Sequence, residues 1–464
     1  MADRLSALDT SFLYLEEPTT PMHVGGLAIF QIPEDGFDSS RLVELVEKRL
    51  GLVPRYRQVV RSVPGHLANP VWVDDPDFDI DFHVRRSGLP KPGSDAQLLD
   101  LVGRLMSRPL DRHRPLWELY IVDGLSEDRF AVISKTHHAM VDGIGALDIG
   151  QVLLDVTPSP RQTPEELWAP APEPGSLQLV GNAVAEYLSR PSTVLESVRG
   201  GIADIKHTAN RVIDTVGGLA AAARLAAQQA PNSPLNAVIG AQRRFGIART
   251  SLDDYRHVRK AHGGTVNDIV LATVSGALRE WLLYRGEPVV GSTSVRAMVP
   301  VSVRAAENSD SPGNEVSSYF IDLPVGEPNP KLRLSRVSYA MQAHKDAGQS
   351  IGATALVALS GFAPPTLHAL GARAASSLSR RLFNIVVTNV PGPQFPLYGA
   401  GARMLEVFPV VPLAKGQGVS IGLTSYNGGV YYGLNADRDS MSDVDVLADL
   451  IEQSLAELLD TVPG

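Results

Sequence analysis

Apolar and polar positions alternate along the chain in some stretches and recur at helical spacing in others. Residues 24–32, VGGLAIFQI, read as a strand, and residues 39–50, SSRLVELVEKRL, as an amphipathic helix with Ser39 as a candidate N-cap. A second amphipathic helix is expected over 98–110 and a second strand over 116–125. The apolar run Phe130-Ala131-Val132-Ile133 suits another strand. Beyond it Ile144, Leu147 and Leu153 return at helical spacing, so a tight loop should join the two. Residues 158–174 hold six prolines and cannot keep regular structure for long, which marks a linker. Residues 176–230 are Ala-rich and helical in pattern.

The last third returns to mixed character. A helix is expected from 266 to about 284, with Thr265 as its cap and Val270, Val274, Ala277, Leu278 and Trp281 as its buried stripe. Strands are expected near 295–301, 316–323, 384–389, 418–425 and 429–435, and a terminal helix over 443–459. Strands interleaved with helices on both sides of a Pro-rich connector predict an α/β (α+β) chain of two lobes. The expected division is 1–157, a Pro-rich and helical linker over 158–235, and 236–464.

Composition narrows the field. The 464 residues suffice for two domains, and 44% hydrophobic with 20% charged residues is a soluble globular profile. A net charge of -9 with no long Lys/Arg run argues against nucleic acid, and an anionic coenzyme would need a local basic patch. The absence of cysteine excludes disulfides, thiolate metal sites and an acyl-cysteine intermediate. It also fits a reducing, cytoplasmic setting. The N-terminus has no apolar core of signal-peptide type, and no run of 18 apolar residues suggests a span.

Candidate chemistry centres on SKTHHAMVDGIGA, residues 134–146. If strand geometry persists to its end, His137 and His138 point to opposite faces and do not act together. Three readings compete. The histidines satisfy backbone groups at a strand end with a glycine turn; or they bind a metal; or one of them is a general base, since a neutral imidazole accepts a proton near physiological pH. Adjacent strand positions do not converge on one ion as i, i+4 helix positions do, which weakens the metal reading. Spacing alone leaves the other two open.

Three segments, LSALDTSFLYLEEPTTPMHVGGLAIF (5–30), RPLWELYIVDGL (114–125) and HHAMVDG (137–143), together resemble the bacterial wax ester synthase/diacylglycerol acyltransferase family. TVNDIVLATVSGALREWL (265–282), VPVSVR (299–304), PGNEVS (312–317) and TNVPGP (388–393) look like its later motifs in the same order. HHxxxDG alone is shared with chloramphenicol acetyltransferase-like enzymes and condensation domains; the ordered set is more specific.

The resemblance implies two chloramphenicol acetyltransferase-like lobes, each a mixed sheet with helices, with a tunnel between them and the histidine motif at its middle. It implies an O-acyltransferase that uses acyl-CoA to make triacylglycerol from diacylglycerol, wax esters from long-chain alcohols, or both. His138 would be the general base, with His137 supporting. Asp142 would shape the loop rather than orient the imidazole as in a triad, and Gly143 would supply its backbone conformation. Asn267, Asp268, Pro115, Leu116 and Trp117 are candidates for substrate contact. Asp268 suits capping its helix equally well, Pro115–Trp117 suit packing better, and Asn267 is one candidate oxyanion donor. No GxSxG elbow points to a serine nucleophile.

No metal or cofactor is implied beyond acyl-CoA as co-substrate. A lipid acceptor implies peripheral contact with the inner membrane face or lipid inclusions. The Ala-rich stretch 177–230, with Arg199, Lys206, Arg211 and Arg224, is a candidate contact, although a helical linker packing on the lobes is the plainer reading. A carrier-protein-dependent transferase of the condensation-domain type and a non-catalytic lipid-binding protein are the alternatives.

Overall fold

The computed structural model describes residues 3–34, 36–141, 153–163, 168–189, 229–303, 315–346, 351–352 and 382–463. Two seven-stranded mixed sheets form the two lobes expected from the sequence. In the N-terminal sheet the order is Val84–Gly88, Trp117–Leu125, Arg129–His137, His23–Gln31, Ala402–Val410, Tyr398–Gly399 and Leu154–Asp155. The strand ending in His137 pairs antiparallel with both its neighbours, and His23 stands opposite His137. A three-stranded sheet, Asp3–Arg4, Val71–Asp74 and Gln58–Arg61, lies apart from it.

Alternation along these strands feeds two cores. Leu27, Ile29, Ala131, Ile133 and Phe408 pack with Leu98, Val102 and Met106 of helix Asp95–Met106. Phe30, Phe130, Val132 and Met404 face the other way, with Leu42 and Val46 of helix Ser39–Arg49. The cap of that second helix is Asp38, not Ser39: Asp38 Oδ1 accepts from the Ser40 N–H at 2.8 Å, and Ser39 is already its first helical residue. Gly25 is required where strand His23–Gln31 runs beside strand Arg129–His137, because a Cβ there would lie 2.4 Å from the Ser134 carbonyl oxygen.

The C-terminal sheet runs Ile351–Gly352, Glu315–Leu323, Val295–Val303, Ile385–Pro391, Val419–Tyr426, Gly429–Asp437 and Arg243–Ser251. Helix Val266–Tyr284 is buried through most of its length, and all residues from Asp268 to Leu278 are buried. It lies among the sheet, helix Pro330–Asp346 and helix Val444–Leu459.

The lobes share a strand. Residues 398–410, which the sequence division assigns to the C-terminal lobe, complete the N-terminal sheet. Strand Ala402–Val410 then presses on the other sheet, where a Cβ at Gly433 would meet the Pro409 oxygen at 2.1 Å. Arg249 adds an ion-pair tie, reaching Glu406 at 2.7 and 2.9 Å and Asp95 at 2.8 Å. In the linker, helix Ser176–Ser189 packs Leu179 against Val59, Val63, Val71 and Val73, while Leu177 is exposed. Arg199, Lys206, Arg211 and Arg224 lie outside the described residues.

Candidate active site

Strand Arg129–His137 ends at His137, and a one-turn helix, His138–Val141, begins at His138. The alternation expected for a continuous strand therefore stops between the two histidines, yet their surroundings still differ. His137 is fully buried. Its backbone N–H donates to the Leu116 carbonyl at 2.9 Å, and its Nδ1 accepts from the Ala139 N–H at 3.1 Å. That acceptor role puts the proton of the neutral ring on Nε2. Burial, then the Arg112 guanidinium and His138, pushes its pKa down to about 3. His137 Nε2 lies 3.9 Å from Glu16 Oε2, within ion-pair reach, but a ring that stays neutral makes no ion pair.

His138 is only half-buried. Its backbone N–H donates to the Met22 carbonyl at 2.8 Å, and Phe12 stacks on its ring with centroids 4.0 Å apart at 29°. Phe12 comes from helix Ala7–Leu15, whose N-cap Ser6 accepts from the Asp9 N–H at 3.0 Å. Of the adjacent pair, His138 is thus the less buried, and His137 braces the start of the one-turn helix from inside.

The layer beneath is built from buried polar groups. Lys135, two residues before His137, donates to the Leu105 carbonyl at 3.2 Å and also to that of Arg108, closing the end of helix Asp95–Met106. His23 Nε2 lies 3.1 Å from the Met106 oxygen, and burial followed by the Lys135 charge holds its pKa well below the usual value. Glu118 balances the lysine at 3.6 Å.

Pro115, Leu116 and Trp117 are buried, and the structure gives Leu116 and Trp117 structural work. Leu116 holds the His137 amide. Trp117 donates its indole N–H to the Tyr56 carbonyl at 2.7 Å and stacks on His83 at 4.7 Å. Asp268 completes a capping box: its N–H donates to Thr265 Oγ1 at 3.2 Å, and its Oδ2 accepts from the Thr265 N–H at 2.8 Å. Asn267 is half-buried and meets Asn389 of the TNVPGP segment, whose Nδ2 lies 3.4 Å from its Oδ1. Asp142, Gly143, Arg304, Gly313 and Asn314 lie outside the described residues.

Spacing did not disclose Phe12, Glu16, Met22 or Arg112, which surround the histidines from segments far away in the chain. The first three fall within the N-terminal segment that carries the resemblance, and that is their only signal. Among the described residues, no group of three or more histidines and carboxylates could hold a metal ion. A separate depression of about 410 Å³, walled by Arg249, Glu406 and Tyr431, shares no residue with this site.

The family model for the wax ester synthase/diacylglycerol acyltransferase catalytic domain matches residues 5–270, and that for the WS/DGAT C-terminal domain matches 312–459. The probable diacylglycerol O-acyltransferase tgs2 of Mycobacterium tuberculosis is 34% identical over 468 residues, covering 99% of each chain. The probable diacylglycerol O-acyltransferase tgs3 of the same species is 48% identical over 260 residues, 56% of this chain and 96% of its own. A wax ester synthase/diacylglycerol acyltransferase from Marinobacter aquaeolei VT8 superposes with a TM-score of 0.68 at 28% identity, covering 98% of each chain. The first condensation domain of the calcium-dependent antibiotic synthetase shares the fold, with a TM-score of 0.59 at 16% identity.

Proposed function

The chain belongs to the wax ester synthase/diacylglycerol acyltransferase family and is an acyltransferase, and from that premise we propose that it moves a fatty acyl group from coenzyme A directly to a lipid hydroxyl, with His138 as general base. The acceptor is diacylglycerol, a long-chain alcohol, or both. The supporting observation is the unequal pair: His137 is fully buried and neutral, while His138 is only half-buried.

In the reaction His138 takes the proton of the acceptor hydroxyl as its oxygen attacks the thioester carbonyl. The C–S bond breaks as the tetrahedral intermediate collapses, and the imidazolium returns the proton to the departing thiolate. Proton and electrons balance with no third reactant. Asn267, half-buried and oriented by Asn389, is a candidate donor to the oxyanion. Asp142 shapes the loop after His138 in this reading, and Gly143 permits its turn.

Each buried CH₂ of an acyl chain contributes about 0.8 kcal/mol, so both substrates prefer apolar surroundings and the enzyme meets them at a lipid surface. Among the described residues no helix is long and apolar enough to cross a membrane, so contact is peripheral in this proposal.

The test is thiol release from palmitoyl-CoA against a panel of diacylglycerols and alcohols, with the ester products identified. His138→Ala should lower turnover roughly 10²–10⁴-fold while the protein remains folded. Equal turnover by folded wild type and variant would remove His138 from the mechanism. A wild type inert with free acyl-CoA but active with a carrier-bound acyl group would point to the condensation-domain type of donor.

A further inference from the structure

We propose that the Glu16–Arg112 ion pair is the positioning device for His138, tying the backbone that carries the imidazole to the helix that stacks on it. The proposal rests on the reading of His138 as the base.

Two arms leave the pair. Glu16 Oε1 accepts from the Met22 N–H at 3.1 Å, and the Met22 carbonyl accepts from the His138 N–H at 2.8 Å. Arg112 Nη2 donates to the Leu13 carbonyl at 2.7 Å, within the helix whose Phe12 lies 4.0 Å from the His138 ring. Between the arms, Arg112 Nε and Nη2 meet Glu16 Oε2 at 2.9 and 2.6 Å. One arm fixes where the imidazole starts, and the other fixes the ring it lies against.

The contacts of both side chains lead toward His138 or its neighbour. Glu16 is nearly buried, and its carboxylate also lies 3.9 Å from His137 Nε2. Arg112 keeps 47% of its side chain exposed. The pair is open to solvent at its Arg112 end only, since Glu16 keeps 8% of its side chain exposed. Its specific effect is geometric. A base misplaced by about 1 Å can cost on the order of 10²-fold in rate. Leu13 lies in the last turn of the helix that Glu16 ends, and Met22 lies six residues beyond Glu16, so loosening the pair frees both walls of the site together.

The test compares Glu16→Gln, Arg112→Ala, Arg112→Lys, Phe12→Leu and His138→Ala in the full chain, by steady-state thiol release and thermal melting. Glu16→Gln and Arg112→Ala should lower kcat roughly 10- to 100-fold per folded molecule, with the KM for palmitoyl-CoA within about twofold and the protein still folded at the assay temperature. Arg112→Lys, which keeps the charge but loses the fork, should fall between Arg112→Ala and wild type. The Phe12→Leu and Arg112→Ala losses should be less than multiplicative in the double variant, because both loosen the same ring.

A lowered melting temperature with unchanged kcat per folded molecule would make the pair structural and overturn the proposal, as would fully multiplicative losses. If Glu16→Gln does not fold, the Phe12 and Arg112 cycle decides alone. An inactive His138→Ala beside a fully active Glu16→Gln would sink the positioning role and leave the base reading standing. An active His138→Ala would sink both.

Discussion

Two adjacent residues of one type behave differently because the fold ends a strand between them. His137 stays inside, neutral, with its Nδ1 engaged by Ala139; His138 turns out against Phe12. A similar desolvation acts at His83, where burial brings the pKa down to about 4 while the ring lies sandwiched between Trp117 and Phe78. Both folded-state values lie below the unfolded value of about 6.5. The unfolded chain therefore binds more protons than the native one below that pH. The stability these rings allow is complete above about pH 6.5 and is lost as pH falls toward 4 and 3. Each site should cost about 1.4 kcal/mol per pH unit in that window, or roughly 2 kcal/mol by pH 5. Urea unfolding at pH 7 and pH 5 checks this: His83→Gln should shrink the pH-dependent loss by about the share of one histidine. An unchanged pH slope would mean that His83 does not enter the folded state neutral.

Elements whose pattern is local were legible, and elements defined by distant partners were not. Helix Val266–Tyr284 announces itself through its Thr-x-x-Asp box and apolar stripe. Removing the cap with Thr265→Ala should lower stability by about 1 kcal/mol in chemical denaturation and leave kcat near wild type. A large kcat loss without destabilisation would instead assign this helix start to the chemistry. Strand Ala402–Val410 escaped because Pro409 interrupts its pattern and its partner, His23–Gln31, lies at the other end of the chain. Helix Leu252–His262 escaped because seven of its eleven residues, LDDYRHVRKAH, are charged or histidine, which leaves only Leu252, Tyr255 and Val258 to mark a buried face. The histidine motif shows the same limit. Spacing singled out both residues and expected opposite faces, but only burial separates them. Glu16 and Arg112 meet across 96 residues of sequence, which no periodicity can report.

At the scale of the whole molecule, the lobes cannot be cut apart at the linker, because residues 398–410 belong by sequence to one lobe and by hydrogen bonding to the other. Arg249, Glu406 and Asp95 reinforce that junction, as does Lys415 on Glu17 at 2.7 Å, one residue from Glu16. A site tied in this way to both halves suits a reaction in which donor and acceptor are held together. His138 is proposed to deprotonate the acceptor, not to attack the thioester, and the chain has no cysteine to carry an acyl group. Acyl-CoA alone should then give no burst of free thiol. Initial velocities with both substrates varied should follow a sequential pattern rather than the ping-pong pattern of covalent catalysis. Intact mass measurement after incubation with palmitoyl-CoA should show the unmodified chain. A stoichiometric acyl adduct that disappears when an alcohol is added would overturn direct transfer, and would move the nucleophile to a serine or to His138 itself.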